Sequence, residues 1–197
     1  MLCYKIFLWL DSPLPSTLYT INPTKRRLVF VGIGSSYWAA RFSEFLWREF
    51  VNPDCISLQS YDFVRSKYLI SANDIFVVFS HRGTKTFSIQ LEIAKKAGAT
   101  TVLVTGLGSP DNFTPTTPAT TPDIRIETCA QENCGAFTIS LTSALVRMIQ
   151  WIGLSNKDIV RSCGCGNKHE SVYHKTFKGL EDRYPITVFG FNYERPL

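Results

Sequence analysis

The chain has 197 residues, 45% of them hydrophobic, and a formal net charge of +5 from 21 basic and 16 acidic residues. That length leaves room for one ordinary domain whose core needs neither metal nor disulfide to hold it. The charge excess is small and spread out, without a basic stripe or reader motif, so nucleic acid is not an expected partner.

Residues 1–10 are apolar but carry Lys5, are too short to span a bilayer and lack a cleavage pattern. They predict a packed piece of structure and no membrane partner. The six cysteines, at 3, 55, 129, 134, 163 and 165, show no paired C-x-x-C spacing. A reducing compartment follows, so the expected location is cytoplasmic. Residues 11–27 read as a polar connection, and 1–27 as an N-terminal extension.

The run 28–33 is continuously apolar, as a strand buried on both faces requires. Trp38, Phe42, Phe45, Leu46 and Phe50 then recur at helical spacing over 36–50, and Asn52-Pro53 stops that helix. A short strand at 55–58 precedes an amphipathic stretch at 61–70, and 75–79 is a second buried strand. The helix predicted at 86–97 places Phe87, Leu91 and Ala94 on one face, with Gly98 as its left-handed stop. Residues 101–105 form the next strand.

The stretch 106–122, rich in Gly, Pro, Ser and Thr, reads as a long loop, and loops of that length are commonly functional. Strand character returns at 124–126, and 135–151 reads as a long helix. Alternating strands and helices of this kind imply right-handed crossovers and a doubly wound α/β architecture with a parallel sheet covered on both faces. Residues 156–180 are mostly polar. The segment 185–192 repeats the strand-then-glycine cadence, so 153–197 is expected to be a linker and the first strand of an incomplete second unit.

Two glycine elbows stand where strands give way to helices: Gly32-Ile33-Gly34-Ser35-Ser36-Tyr37 and Ser80-His81-Arg82-Gly83-Thr84-Lys85. Such turns aim N–H groups and hydroxyls at the positive end of a helix, which suits a phosphate. In open parallel sheets ligands sit beyond the carboxyl ends of the strands, where both elbows lie. Each could also be a capped turn whose glycines serve only close packing.

These elbows, followed by Gln131-Glu132-Asn133-Cys134-Gly135-Ala136-Phe137-Thr138, resemble the sugar isomerase (SIS) domain over residues 28–152. The resemblance implies a five-stranded parallel sheet in an αβα sandwich and a phosphosugar held by hydroxyl and backbone groups of both loops. Ser36 and Ser80 fall on the family's ligand-binding serines, and Gly34 and Gly83 on its glycines. Arg82 and Lys85 stand where hydroxyls are usual, and two cations there would neutralise an anion.

The expected binding set is therefore Gly34, Ser35, Ser36, Ser80, Arg82, Gly83, Thr84 and Lys85. Glu132 is the candidate proton shuttle for an aldose–ketose interconversion through an enediol. That chemistry needs no cofactor or metal, and Cys163, Cys165, His169 and His174 fit no tetrahedral zinc spacing. The alternative is a phosphosugar sensor, or a structural remnant of a tandem protein, without turnover. A dinucleotide site is disfavoured because Tyr37 occupies the third glycine position of G-x-G-x-x-G. Apolar surface left by an unfinished second unit predicts a homodimer.

Overall fold

The computed structural model describes residues 13–66, 69–83, 86–107, 120–130 and 138–153. They form a five-stranded, all-parallel sheet in the order β2-β1-β3-β4-β5, built from β1 (Arg27–Gly32), β2 (Cys55–Gln59), β3 (Asp74–Phe79), β4 (Thr100–Leu107) and β5 (Ile124–Ala130). The helices are α1 (Ser35–Phe50), α2 (Ser60–Ser66), α3 (Thr86–Lys96) and α4 (Thr138–Trp151). A short 3-10 turn, Ser16–Thr20, precedes the sheet.

Two apolar layers follow from the two-residue period of the strands. On one face Leu28, Phe30, Ile75, Val77, Val102, Val104 and Ile126 meet α1 and α4, through Ala39, Ala40, Trp47, Ala144, Met148 and Trp151. On the other, Val29, Val31, Phe76, Val78 and Leu103 meet Phe63 of α2 and Leu91 and Ala94 of α3. The sheet is thus covered on both faces, as expected. Trp47 anchors the first layer, fully buried, with its ring 5.5 Å from Phe30 and 4.9 Å from Trp151, both edge to face. Leu14 and Leu18, from the stretch read as an extension, are buried in this same layer.

Helix α1 is tied to the sheet edge as well as to its face. The buried Glu44 carboxylate accepts hydrogen bonds from the Ser57 N–H and hydroxyl on β2 and pairs with Arg41 and Arg48, each at 3.1 Å. Four charge-assisted contacts keep that carboxylate satisfied away from water.

Some element bounds differ from expectation. The helix begun near residue 61 ends at Ser66, and Leu69 is 85% exposed. Strand β4 continues through Gly106 and Leu107, which composition alone assigns to a loop. Strand β5 runs four residues past Ile126. Gly98 does close α3, at φ 79°, with its N–H on the Lys95 carbonyl. The proposed second unit at 153–197 lies outside the described residues apart from Gly153. No helix among the described residues is long and apolar enough to cross a membrane.

Candidate functional site

Strand order reverses at β1: its chain neighbour β2 lies on one side and β3 on the other. Such a switch point opens a crevice at the carboxyl ends of the strands. The first elbow forms one wall. At Gly32 an added β-carbon would collide with the Ser36 carbonyl and come within 2.7 Å of the Tyr37 nitrogen, so only glycine lets α1 start this close to β1. Gly34, at φ 58° and ψ −126°, then turns the chain into the helix.

Part of the amide cradle expected at this elbow is used by the elbow itself. Ser36 N–H donates to the Ile33 carbonyl at 3.1 Å, and Tyr37 N–H to the Gly34 carbonyl at 3.0 Å. The Ser35 N–H and the Ser35 and Ser36 hydroxyls find no partner among the described residues.

The second elbow is likewise held from within. Ser80 N–H extends the ladder to Val104 at 2.9 Å, Gly83 N–H closes a turn on the Ser80 carbonyl at 3.1 Å, and Gly106 N–H bonds the His81 carbonyl at 3.0 Å. Behind it, the fully buried Thr105 hydroxyl donates to the Ser80 carbonyl at 2.8 Å, with the His81 carbonyl at 3.3 Å. These bonds use the Ser80 and Gly83 N–H groups and the Ser80 and His81 carbonyls, while Ser80 itself lines the crevice.

The third wall comes from β5 and α4. Pairing runs from Thr105 with Glu127 to Leu107 with Ala130, so β5 carries one extra residue there. Thr128 and Cys129 are accordingly both buried, breaking the alternation, as a bulge does. Thr128 keeps the parity of Ile124 and Ile126, which puts its side chain on the α4 face and at the crevice.

The resulting cleft is lined by Ser35, Ser36, Ala39, Phe79, Ser80, His81, Val104, Thr128, Ser140, Leu141 and Ala144. It holds about 290 Å³ of empty space, part of it open to solvent. Ser35 and Ser36 stand in the first turn of α1, and Ser140 and Leu141 in the first turn of α4. Two positive helix ends therefore meet at the cleft, with hydroxyl groups between them.

Of the anticipated binding residues, Ser35, Ser36 and Ser80 are brought together on the wall. Gly34, Arg82 and Gly83 belong to the elbows without lining it, Arg82 being exposed and Gly83 buried. Thr84, Lys85 and Glu132 lie outside the described residues. Thr128 and Ser140 were missed. Continuing the period-two pattern past Ile126 would have reached Thr128, whereas nothing in the sequence sets Ser140 apart from an ordinary buried helix position.

The strongly perturbed groups stand elsewhere. Burial alone would raise the Asp74 carboxyl, but the Arg27 guanidinium at 3.0 and 2.6 Å and the Ser71 N–H at 2.7 Å hold it below the usual range. Asp123, penalised by burial, is held low by Thr101 and by Lys95 at 3.0 Å. Both mark the amino ends of strands, the rim opposite the cleft. Burial, with Glu44 next, pushes the Cys55 thiol up to about 12, which makes it a poor nucleophile. Burial also lowers the Arg147 guanidinium, which donates to the Glu127 carbonyl at 2.9 Å.

A family profile described as the SIS domain matches residues 22–150. A search of curated proteins returns no match. Among solved structures, an Escherichia coli CFT073 protein in complex with a phosphosugar superposes with a TM-score of 0.63 at 19% identity, covering 77% of this chain and 81% of that one. A Bacteroides fragilis structure assigned as a phosphosugar isomerase involved in capsule formation gives 0.59 at 16% identity, covering 77% and 84%. The sugar isomerase domain of an RpiR transcription factor from Sphaerobacter thermophilus gives 0.59 at 14%, covering 77% and 83%. At such identities the likeness establishes the fold.

Proposed function

The chain belongs to the SIS domain family, and from that premise we propose that it binds a phosphorylated monosaccharide in the cleft between β1 and β3. The observation that carries the reading is the convergence of Ser35, Ser36 and Ser80 on one wall, at the positive ends of two helices. Phosphate is an acceptor-rich anion. Hydroxyl donors without other partners among the described residues, backed by helix dipoles, match it. Thr84, Arg82 and Lys85 complete the proposed phosphate set, with Gly34 and Gly83 shaping the two loops. The phosphosugar bound in the Escherichia coli structure is consistent with this ligand class.

Turnover as an aldose–ketose isomerase is the finer proposal, and it assigns the proton shuttle to Glu132. The second reading is a phosphosugar sensor without turnover. It is favoured by the likeness to a transcription factor's sugar isomerase domain, and by the absence of any carboxylate among the described residues of the wall. In either case we propose a homodimer in solution.

The deciding experiment is calorimetric titration with pentose, hexose and aminosugar monophosphates. Binding should weaken about tenfold or more in Ser36→Ala and in Ser80→Ala, the usual cost of a hydrogen bond to a charged group. No affinity for any sugar phosphate would overturn the proposal. Deuterium uptake beside the sugar carbonyl in heavy water, lost in Glu132→Gln, marks an isomerase; binding without uptake marks a sensor.

A further inference from the structure

The hydroxyls around the cleft are not equivalent, and the difference gives the bound sugar a direction. Thr128 is 2% exposed and lines the floor. Its hydroxyl lies 3.0 Å from the Thr105 carbonyl oxygen in a buried hydrogen bond. A carbonyl cannot donate, so the single Thr128 hydroxyl proton points at Thr105 and away from the cleft. What remains toward a ligand is lone pairs alone.

The serines of the elbows are in the opposite condition. The hydroxyls of Ser35, Ser36 and Ser80 have no partner among the described residues and can turn their protons into the cleft. Of these four hydroxyls, the three at the β1 and β3 side can donate into the cleft and the one on β5 can only accept. A phosphate oxygen set against Thr128 would place acceptor against acceptor, in a desolvated spot where an unmatched pair is costly. A sugar hydroxyl set there can donate.

Resting on the phosphosugar reading above, we propose that Thr128 is a specificity residue: it accepts a hydrogen bond from a ligand hydroxyl and so directs the sugar toward β5 and the phosphate toward the elbows. Its polarity is imposed by Thr105. Thr128 keeps the side of the sheet taken by Ile124 and Ile126, and the irregular pairing of β5 begins only beside it. The ligand class that fits is a polyhydroxylated phosphate ester, in preference to a bare phosphate or an alkyl phosphate.

The test compares glucose 6-phosphate, arabinose 5-phosphate, butyl phosphate and inorganic phosphate by titration calorimetry on the full chain. In the wild type at least one sugar phosphate should bind about five- to tenfold more tightly than butyl phosphate, the worth of one neutral hydrogen bond. Thr128→Val should erase that margin and leave inorganic phosphate unchanged, and Thr128→Ser should restore it to within about threefold. Should the valine variant fold poorly, Thr128→Ala, which also lacks the hydroxyl, carries the test: the margin should vanish there and survive in the serine variant.

Equal weakening of all ligands in Thr128→Val, or a sugar phosphate margin that survives it, overturns the role of Thr128 alone. Sugar phosphates that bind the wild type no better than butyl phosphate do the same. A wild type that binds neither sugar phosphate overturns the phosphosugar reading, and this inference with it.

Discussion

At Gly32 a β-carbon would overlap the Ser36 carbonyl, while at Gly34 it would meet nothing, yet the backbone there sits at φ 58°. The two glycines thus fail differently when replaced. Gly32→Ala must push α1 off the end of β1 and should cost roughly 2–4 kcal/mol, as overpacking against backbone does. Gly34→Ala pays only for an unfavourable dihedral, about 1–3 kcal/mol. Urea denaturation ranks them, and a smaller loss in Gly32→Ala than in Gly34→Ala would refute the steric account. Asp74 makes a separate claim about pH. Its folded carboxyl titrates below its unfolded value of 3.8, so its contribution is fully present above that pH and is lost as pH falls through the lower, folded value. Asp74→Asn should therefore destabilise at pH 7 and converge with the wild type in acid. Because Asp74 begins β3, at the rim away from the cleft, phosphosugar affinity should not change. A variant gap that persists undiminished at pH 2 would refute the linkage.

Strand β4 supplies the brace that positions the second elbow, and a matched pair of threonines isolates its effect. Thr105 donates to the Ser80 carbonyl at 2.8 Å, whereas Thr101, equally buried on the same strand, donates to Asp123 at 2.7 Å at the far rim. Thr105→Val leaves the Ser80 carbonyl with one partner fewer and should cost about 1–3 kcal/mol, as should Thr101→Val. Only the first should speed amide hydrogen exchange at Gly83, whose N–H rests on that same carbonyl. Equal exchange in the two variants would mean the elbow holds itself. This brace also shows where the sequence stops being informative. The buried strands were legible because residues 28–31 and 75–79 are apolar on every position, and Gly98 marked the end of α3 because nothing but glycine sits easily at φ 79°. The first elbow was legible as glycines followed by hydroxyl residues after a buried strand, the second as Ser80 directly after such a strand with Gly83 three residues on. In β5 the alternation of Ile124 and Ile126 reaches Thr128, but Glu127 and Thr128 are polar and the bulge breaks the alternation at Cys129, so the sequence does not mark how far the strand runs. Nor could the pattern tell that the Ser36, Tyr37, Ser80 and Gly83 amides are taken internally, since hydrogen-bond partners from other segments leave no periodic trace.

For the molecule in solution, the face of α1 turned away from the sheet is the consequential surface. The helix has a buried stripe of Ala39, Ala40, Ser43, Leu46 and Trp47, as an amphipathic helix on a sheet must. Its aromatic residues nevertheless continue past that stripe: Trp38 is 66% exposed, and Phe42 and Phe45, one and two turns further along the same face, are only partly buried. An exposed tryptophan flanked by phenylalanines leaves apolar area in water, and a two-fold contact between copies would remove it. Trp38 also lies in the turn that follows Ser35 and Ser36, so a partner seated there would adjoin the cleft. Sedimentation velocity at micromolar concentration should give twice the 22.3 kDa of one chain for the wild type and a single chain for Trp38→Glu. Because Trp38 contributes little to the core, the monomeric variant should keep its far-ultraviolet circular dichroism, with thermal stability falling only by the linkage lost with the partner. A wild type that sediments as one chain would remove the dimer from the proposal; a variant that stays dimeric would move the contact away from α1.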